Sequence, residues 1–164
     1  MKSSKNIILT RKLTISAIVI ALYVVIMIFT QGFAFGAIQI RIATALYALA
    51  YFSPFLVLPL GVANILSNLL LGGLGIFDIL GGGLVGILTS YLVYLISKNN
   101  LNVNLVIIPI TFIPGLIVPI WLSVILKLPY FPLAMSLCIG QVIPAILGAY
   151  IIKALKKQNI LEVF

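Results

Sequence analysis

The chain has 164 residues, of which 63% are hydrophobic and 7% are charged. A soluble domain has about 45–50% apolar and about 25% charged residues, so these side chains cannot cover a soluble globule. The composition therefore predicts an all-α membrane protein, with one integral membrane domain over residues 1–164 and no separate soluble catalytic domain.

The side chains that most enzymes rely on are scarce. Histidine is absent and Cys138 is the only cysteine, while Asp and Glu together number two. This inventory argues against a metal site and excludes a Ser-His or Cys-His nucleophile. The glycine-rich stretch at residues 81–83 is not followed by the Gly-Lys-Ser/Thr of a phosphate-binding loop. We therefore expect neither an enzyme nor a resident cofactor.

The net charge of +8 comes mostly from the two ends of the chain. Positive charge flanking apolar segments is typical of the cytoplasmic side of a membrane, and it argues against nucleic acid as a partner. We therefore expect residues 1–12 to form a cytoplasmic basic N-terminus and residues 153–164 to form a cytoplasmic tail. Seven of the ten basic residues lie there: Lys2, Lys5, Arg11, Lys12, Lys153, Lys156 and Lys157.

Two cytoplasmic termini require an even number of membrane crossings, and a spanning helix needs about 20 apolar residues. Six segments predict a compact bundle of six transmembrane helices. The second is too short to cross alone, so it has to tilt, extend through Ser53-Pro54, or be shielded by its neighbours. The segments are residues 13–33, 42–52, 55–71, 79–97, 103–126 and 131–155.

Counting crossings along the chain places several polar residues on the outer side. Gln39, Arg41 and Asp78 fall in outer loops, while Trp121 and Gln141 fall in the outer halves of their helices. An interior charge in so apolar a chain is costly unless it finds water, a partner or a ligand. The convergence predicts an outward-facing binding pocket.

Each of these side chains also has a purely structural interpretation. Arg41 contacts a ligand, pairs with Asp78, or clamps helix carbonyls at the interface. Asp78 accepts hydrogen bonds from a ligand or caps the fourth helix. The carboxamides bind ligand or join helices, and the aromatic rings stack on a flat ligand or anchor the bundle at the interface. The carboxamides are Asn64, Asn68 and Gln141; the rings are Trp121, Tyr130 and Tyr47.

Ala17 and Ala21 lie four residues apart on the first helix, so they share one face. Small residues at this spacing let two helix backbones approach closely. They serve either a partner subunit or the interior packing of the bundle.

The stretch GAIQIRIATALYALAYFSP, residues 36–54, resembles the GAxQxRISEAL block of the QueT family. The likeness continues at Gly61-Val62-Ala63-Asn64, at Gly75-Ile76-Phe77-Asp78 and at Gly140-Gln141. QueT proteins are substrate-binding S-components of energy-coupling factor (ECF) transporters, linked with queuosine precursors.

The resemblance implies a six-helix bundle in the plasma membrane of a prokaryote, with an outward-facing ligand site. It implies docking onto a transmembrane coupling subunit that is driven by two ATPase subunits, with Ala17 and Ala21 as the docking motif. The ligand would be a queuosine precursor or queuine, held by the predicted substrate-binding residues Gln39, Arg41, Asn64, Asp78, Trp121 and Gln141.

The chain departs from the family block at two positions. The family's Ser-Glu is Ala43-Thr44 here, and its Gly-Glu in the last helix is Gly140-Gln141. Two carboxylates are thus replaced by neutral groups, which leaves other ligands open, such as a riboflavin- or biotin-type vitamin. A membrane assembly protein without transport function is the alternative from a different class.

Overall fold

The computed structural model describes residues 2–34, 39–71 and 73–158, and all regular structure in those ranges is helical. Three predicted features lie outside the described residues: part of the first outer loop (residues 35–38), Gly72 in the third-to-fourth connection, and the end of the tail (residues 159–164). The helices are α1 (Lys2–Ala34), a 3₁₀ helix (Ile42–Tyr51), α2 (Val57–Leu71), α3 (Ile76–Lys98), α4 (Ile107–Leu126) and α5 (Tyr130–Lys157), with 3₁₀ turns at Pro54–Leu56 and Val103–Val106 leading into α2 and α4.

The helix lengths and compositions are those of a membrane protein. Five helices are long and apolar enough to cross a bilayer, and Ile42–Tyr51 is a shorter apolar helix. This confirms the prediction of an all-helical membrane protein. That the chain crosses six times, with both ends in the cytoplasm, stays a prediction.

The short second segment is a 3₁₀ helix enclosed by the others. Every residue from 43 to 51 is buried, chiefly against α5, α3 and α1. A 3₁₀ helix rises about 2.0 Å per residue, so ten residues reach about 20 Å, where an α-helix would reach about 15 Å. The segment is thus shielded by its neighbours, and its 3₁₀ form makes it longer than an α-helix of the same number of residues.

The break between the 3₁₀ helix and α2 follows from the Ser53-Pro54 pair. A residue before proline is pushed out of the helical region by the proline ring, and Ser53 is extended, with φ −159° and ψ 132°. Proline itself suits the first position of a helix because its missing N–H has no partner there anyway. The chain therefore turns here and starts α2.

Basic residues of the first and last helices meet this turn. The Lys156 ammonium donates to the Tyr51 hydroxyl at 2.8 Å and lies 4.4 Å from the centre of that ring. The Lys12 ammonium lies 5.6 Å from the centre of the Phe55 ring. The start of α1 and the end of α5 are thus at the same end of the bundle, which we call the lysine end. The opposite end, where Arg41 begins the 3₁₀ helix, we call the Arg41 end.

Close contact between α5 and the chain just before the 3₁₀ helix depends on Gly140. A methyl group there would overlap the carbonyl oxygen of Gln39 and lie 2.8 Å from its carbonyl carbon. These are backbone atoms, so no side-chain rotation relieves the overlap. Gly140 therefore sets the distance between α5 and the segment that carries Gln39 and Arg41.

We predict that Gly140→Ala lowers the free energy of unfolding by about 1–3 kcal/mol, the cost of inserting a methyl group into a filled space. Gly32→Ala is the matched control, because nothing beyond its own helical turn lies within 4 Å of a methyl group there. Thermal melting in detergent ranks the two variants. A Gly140→Ala protein that melts with the wild type would contradict this role.

Candidate functional site

One enclosed cavity at the Arg41 end collects polar side chains from separate parts of the chain. Its walls come from the 3₁₀ helix and the residues just before it, from α2 and α3, and from α4 and α5. The lining residues are Gln39, Arg41, Thr44, Tyr47, Asn64, Val85, Pro114, Val118, Leu137 and Gln141. Four predicted substrate-binding residues, Gln39, Arg41, Asn64 and Gln141, therefore share this cavity.

Arg41 occupies the position before the first turn of the 3₁₀ helix and is 8% exposed. Its Nη2 donates to Oδ1 of Asn68 at 3.0 Å, and Nδ2 of Asn68 donates to the backbone oxygen of Asp78 at 3.0 Å. Asn68 thus joins the guanidinium to the start of α3. Asn68 therefore joins helices, which is one of the two roles expected for the carboxamides.

The carboxylate of Asp78 is held by two N–H groups. Trp121 Nε1 donates to Oδ1 at 3.1 Å, and the backbone N–H of Leu74 donates to Oδ2 at 3.2 Å. Asp78 is in the first turn of α3, three residues after the N-cap Gly75, where a negative charge also interacts favourably with the helix dipole. These contacts support the structural interpretation, in which Asp78 stabilises the start of the helix.

Thr44 and Gln141 meet across the cavity wall. The Thr44 hydroxyl lies 2.7 Å from the Gln141 side-chain oxygen and 2.7 Å from the backbone oxygen of Arg41. A hydroxyl has one proton, so it can donate to only one of them. Both contacts are satisfied when the Gln141 amide is turned by 180°, so that Nε2 donates to Thr44 and Thr44 donates to Arg41.

Tyr47 connects the cavity to α1. Its hydroxyl lies 2.6 Å from Nδ2 of Asn64 and 3.2 Å from the hydroxyl of Tyr23, and both tyrosines are fully buried. Oδ1 of Asn64 has no hydrogen-bond partner among the described residues. Turning this amide lets Tyr23 donate to Tyr47 and Tyr47 donate to Oδ1, so that each hydroxyl proton has an acceptor.

α3 approaches the two asparagines closely because Gly82 faces them. A methyl group at Gly82 would lie 2.5 Å from Nδ2 of Asn68 and 2.7 Å from Oδ1 of Asn64. Any side chain there would displace both amides. The glycine-rich stretch therefore serves the packing of α3 against the polar side chains of α2.

Asp78 and Trp121 lie beside the cavity but are not in its described lining. The Trp121 ring covers Gly81 and borders a separate apolar groove with Ile76, Phe77, Leu80 and Leu84. Asn68 provides a hydrogen-bonded connection between this pair and Arg41. The predicted site residues thus form two neighbouring groups, one polar cavity and one Asp–Trp pair.

Sequence reasoning missed the roles of Thr44 and Tyr23 and did not assign Tyr47 its hydrogen bonds. Thr44 stood out only as a departure from the family block, and no signal marked Tyr23 within an apolar helix. Asn68 is identifiable in the sequence as a carboxamide within an apolar helix, but its position between Arg41 and Asp78 is not.

The cavity is nearly filled by its own side chains. Its free volume is about 10 Å³, roughly the room that one water molecule needs. In chemical terms it offers a guanidinium, three carboxamides, two hydroxyls and no carboxylate. Among the described residues there is also no group of three or more His, Cys, Asp or Glu side chains that could hold a metal ion.

Ala17 and Ala21 do not line this cavity and lie on the exposed side of α1. Only 17% of the most apolar stretch of α1 is buried in the bundle, against 39–50% for the other four long helices. Leu13 and Val25 are exposed one turn before and after the alanines on the same helix face, so two small side chains lie between two larger ones. The two alanines therefore do not pack the bundle interior.

These features define a multi-pass membrane protein with a small buried polar site. The chain matches the family model described as QueT transporter over residues 13–157. It belongs to the QueT transporter family, whose members are ECF S-components, that is, substrate-binding subunits of transporters rather than enzymes. No curated protein and no solved structure matches the chain.

We predict that Asp78→Ala lowers the free energy of unfolding by about 1.5–3 kcal/mol, because two N–H groups lose their charged acceptor. Trp121 is the only tryptophan, so its fluorescence emission reports the same loss. Asp78→Asn is the control, since it keeps one acceptor oxygen and should shift both readouts less. Emission and melting in Asp78→Ala equal to those of the wild type would show that the Asp–Trp contact is unimportant.

Proposed function

We propose that this chain captures a small heterocyclic micronutrient in the polar cavity and delivers it to an ECF-type importer. The leading candidate for the ligand is a queuosine precursor or queuine. The observation that carries the proposal is the convergence of Gln39, Arg41, Asn64 and Gln141 on one buried cavity. Buried hydrogen-bonding groups from distant parts of a chain are what a specific site for a polar, flat ligand needs.

The proposed orientation puts the lysine end in the cytoplasm and the Arg41 end outside. Lys12, Lys98 and Lys156 all lie towards the lysine end, as the bias of positive charge towards the cytoplasm favours. In this orientation, a ligand would enter the cavity from the outside of a prokaryotic plasma membrane.

Ligand binding requires the walls of the cavity to separate. Sites for small molecules usually enclose about 300–1,000 Å³, far more than the 10 Å³ found here. Entry of a bicyclic base would exchange the contacts among Arg41, Thr44 and Gln141 for contacts with the ligand. We propose that Asp78 and Trp121 adjoin the bound ligand from the α3–α4 side, with Trp121 or Tyr47 stacking on it.

Transport also needs partners, because the chain has no nucleotide-binding loop. We propose that the exposed face of α1 docks on the transmembrane coupling subunit, which two ATPase subunits drive. The small side chains of Ala17 and Ala21 would let a helix of the coupling subunit approach the α1 backbone.

An uptake assay in reconstituted vesicles tests the proposed function. Vesicles that contain the chain, the coupling subunit and both ATPases should accumulate a radiolabelled 7-deazaguanine in the presence of ATP, and vesicles without the ATPases should not. Accumulation of a riboflavin- or biotin-type vitamin instead would show that the chain is a transporter subunit with a different ligand. Absence of ATP-dependent uptake for all these ligands would favour the membrane assembly protein.

We predict that Arg41→Ala weakens ligand binding by about 1.5–3 kcal/mol, the scale of a hydrogen bond to a charged group. Arg41→Lys, which keeps the charge but loses the planar fork, should recover only part of this loss. Calorimetry on the purified chain measures both. Affinity that is unchanged in Arg41→Ala, in protein that still melts cooperatively, would reduce Arg41 to a structural role.

We predict that Ala17→Trp abolishes assembly with the coupling subunit, because the indole holds the two backbones apart. Ligand binding by the isolated chain should stay within about twofold, since the cavity uses other groups. Ile146→Trp, at another exposed position on α5, is the control and should assemble normally. Co-purification with the coupling subunit tests assembly, and calorimetry tests binding. An Ala17→Trp protein that assembles and transports like the wild type would contradict the docking role.

A further inference from the structure

The bundle interior at the Arg41 end already holds one positive and one negative charge. Arg41 is 8% exposed and Asp78 is 3% exposed. The chain has only two acidic residues, and the other, Glu162, lies outside the described residues and follows the lysine end of α5. Among the residues that the structure describes, Asp78 is therefore the only carboxylate that can balance Arg41 or a charge brought in by a ligand.

The carboxylate of Asp78 is already engaged by two hydrogen-bond donors. Both of its oxygens accept N–H hydrogen bonds, from Trp121 and from Leu74. It is joined to Arg41 through Asn68, and its side chain is not in the described lining of the cavity. A cationic group in the cavity would meet a guanidinium, and the one described carboxylate, Asp78, lies outside the lining and already accepts two N–H hydrogen bonds.

The part of the cavity wall formed by Thr44 and Gln141 is neutral. Thr44 and Gln141 are 1% and 2% exposed, and they contact each other through uncharged groups at 2.7 Å. When the Gln141 amide donates to Thr44, its oxygen and its second N–H are what remains for a ligand. A carbonyl, hydroxyl or ring nitrogen satisfies these groups, while an ammonium would have only the amide oxygen.

We propose that this chain prefers the uncharged members of the proposed ligand class and discriminates against cationic ones of the same shape, which include queuine and the aminomethyl precursor with their protonated amines, with Thr44 and Gln141 as the specificity-determining pair. The proposal rests on the proposed function, since it assumes a heterocycle in this cavity. Its physical basis is that a charge moved from water into an apolar bundle without a counter-charge keeps most of its dehydration cost. An uncharged ligand leaves the existing balance of Arg41 and Asp78 as it is.

A matched pair of ligands isolates charge from size. 7-Hydroxymethyl- and 7-aminomethyl-7-deazaguanine have side arms of nearly the same volume, and both arms donate hydrogen bonds, but only the amine is cationic at neutral pH. Calorimetry on the purified full chain in nanodiscs should show the hydroxymethyl base binding at least about tenfold more tightly. Equal affinity, or tighter binding of the aminomethyl base, overturns the proposal.

Gln141→Glu then tests the assigned position. A carboxylate there supplies the missing counter-charge, so the affinity ratio should move at least about tenfold towards the aminomethyl base. Gln158→Glu makes the same chemical change at the far, lysine end of α5 and should leave the ratio unchanged. Thr44→Glu places a carboxylate on the same wall and replaces Gln141→Glu if that variant does not fold. An unchanged ratio in a folded cavity variant removes the pair from the specificity of the site.

Failure of the proposed function looks different from failure of this inference. If neither base binds the wild type, the deazaguanine ligand is wrong. The preference for an uncharged ligand is then tested on the molecule that co-purifies with the chain. An uncharged molecule supports the preference, and a cationic one overturns it.

Discussion

The hydrogen-bonded connection from Arg41 through Asn68 to the start of α3, continued by Asp78 to Trp121, is the interaction on which the Arg41 end depends. It joins the 3₁₀ helix, α2, α3 and α4 at 3.0, 3.0 and 3.1 Å. Two charges in an apolar bundle are tolerable only because each meets polar partners. The same partners fix where four elements stand relative to one another, so the proposed binding site and the stability of this end have one origin.

Backbone proximity makes those contacts possible. Gly82 lets α3 reach the amides of Asn64 and Asn68, and Gly140 lets α5 reach the backbone of Gln39. With both helices so close, the 3₁₀ helix is enclosed on all sides and the polar groups share a cavity of about 10 Å³. A cavity this full implies that ligand affinity includes the free energy needed to separate its walls. Affinity would thus depend on the helix contacts as well as on the groups that touch the ligand.

The coarse features of the fold could be read from the sequence because hydrophobic runs and lysine positions determine them. The predicted segments fall on the observed helices, although α1 starts at Lys2 rather than near residue 13. The 3₁₀ form of residues 42–51 was not predictable, since it reflects enclosure by other helices and not a local propensity. The polar residues were identifiable because interior Arg, Asp, Asn and Gln are rare in such a chain. Their pairing was not, because the contacts of Thr44 with Gln141 and of Tyr23 with Tyr47 span 97 and 24 residues.

The central claim is that the polar cavity at the Arg41 end holds one small, uncharged heterocycle. Native mass spectrometry of the chain, purified from its own membranes in mild detergent, tests this most directly. The account predicts one bound molecule per chain, with the mass of a bicyclic base, retained by the wild type and by Gln158→Glu and lost from Arg41→Ala. A chain that carries only lipid under conditions in which it supports uptake, or a bound molecule that Arg41→Ala retains in full, would contradict it.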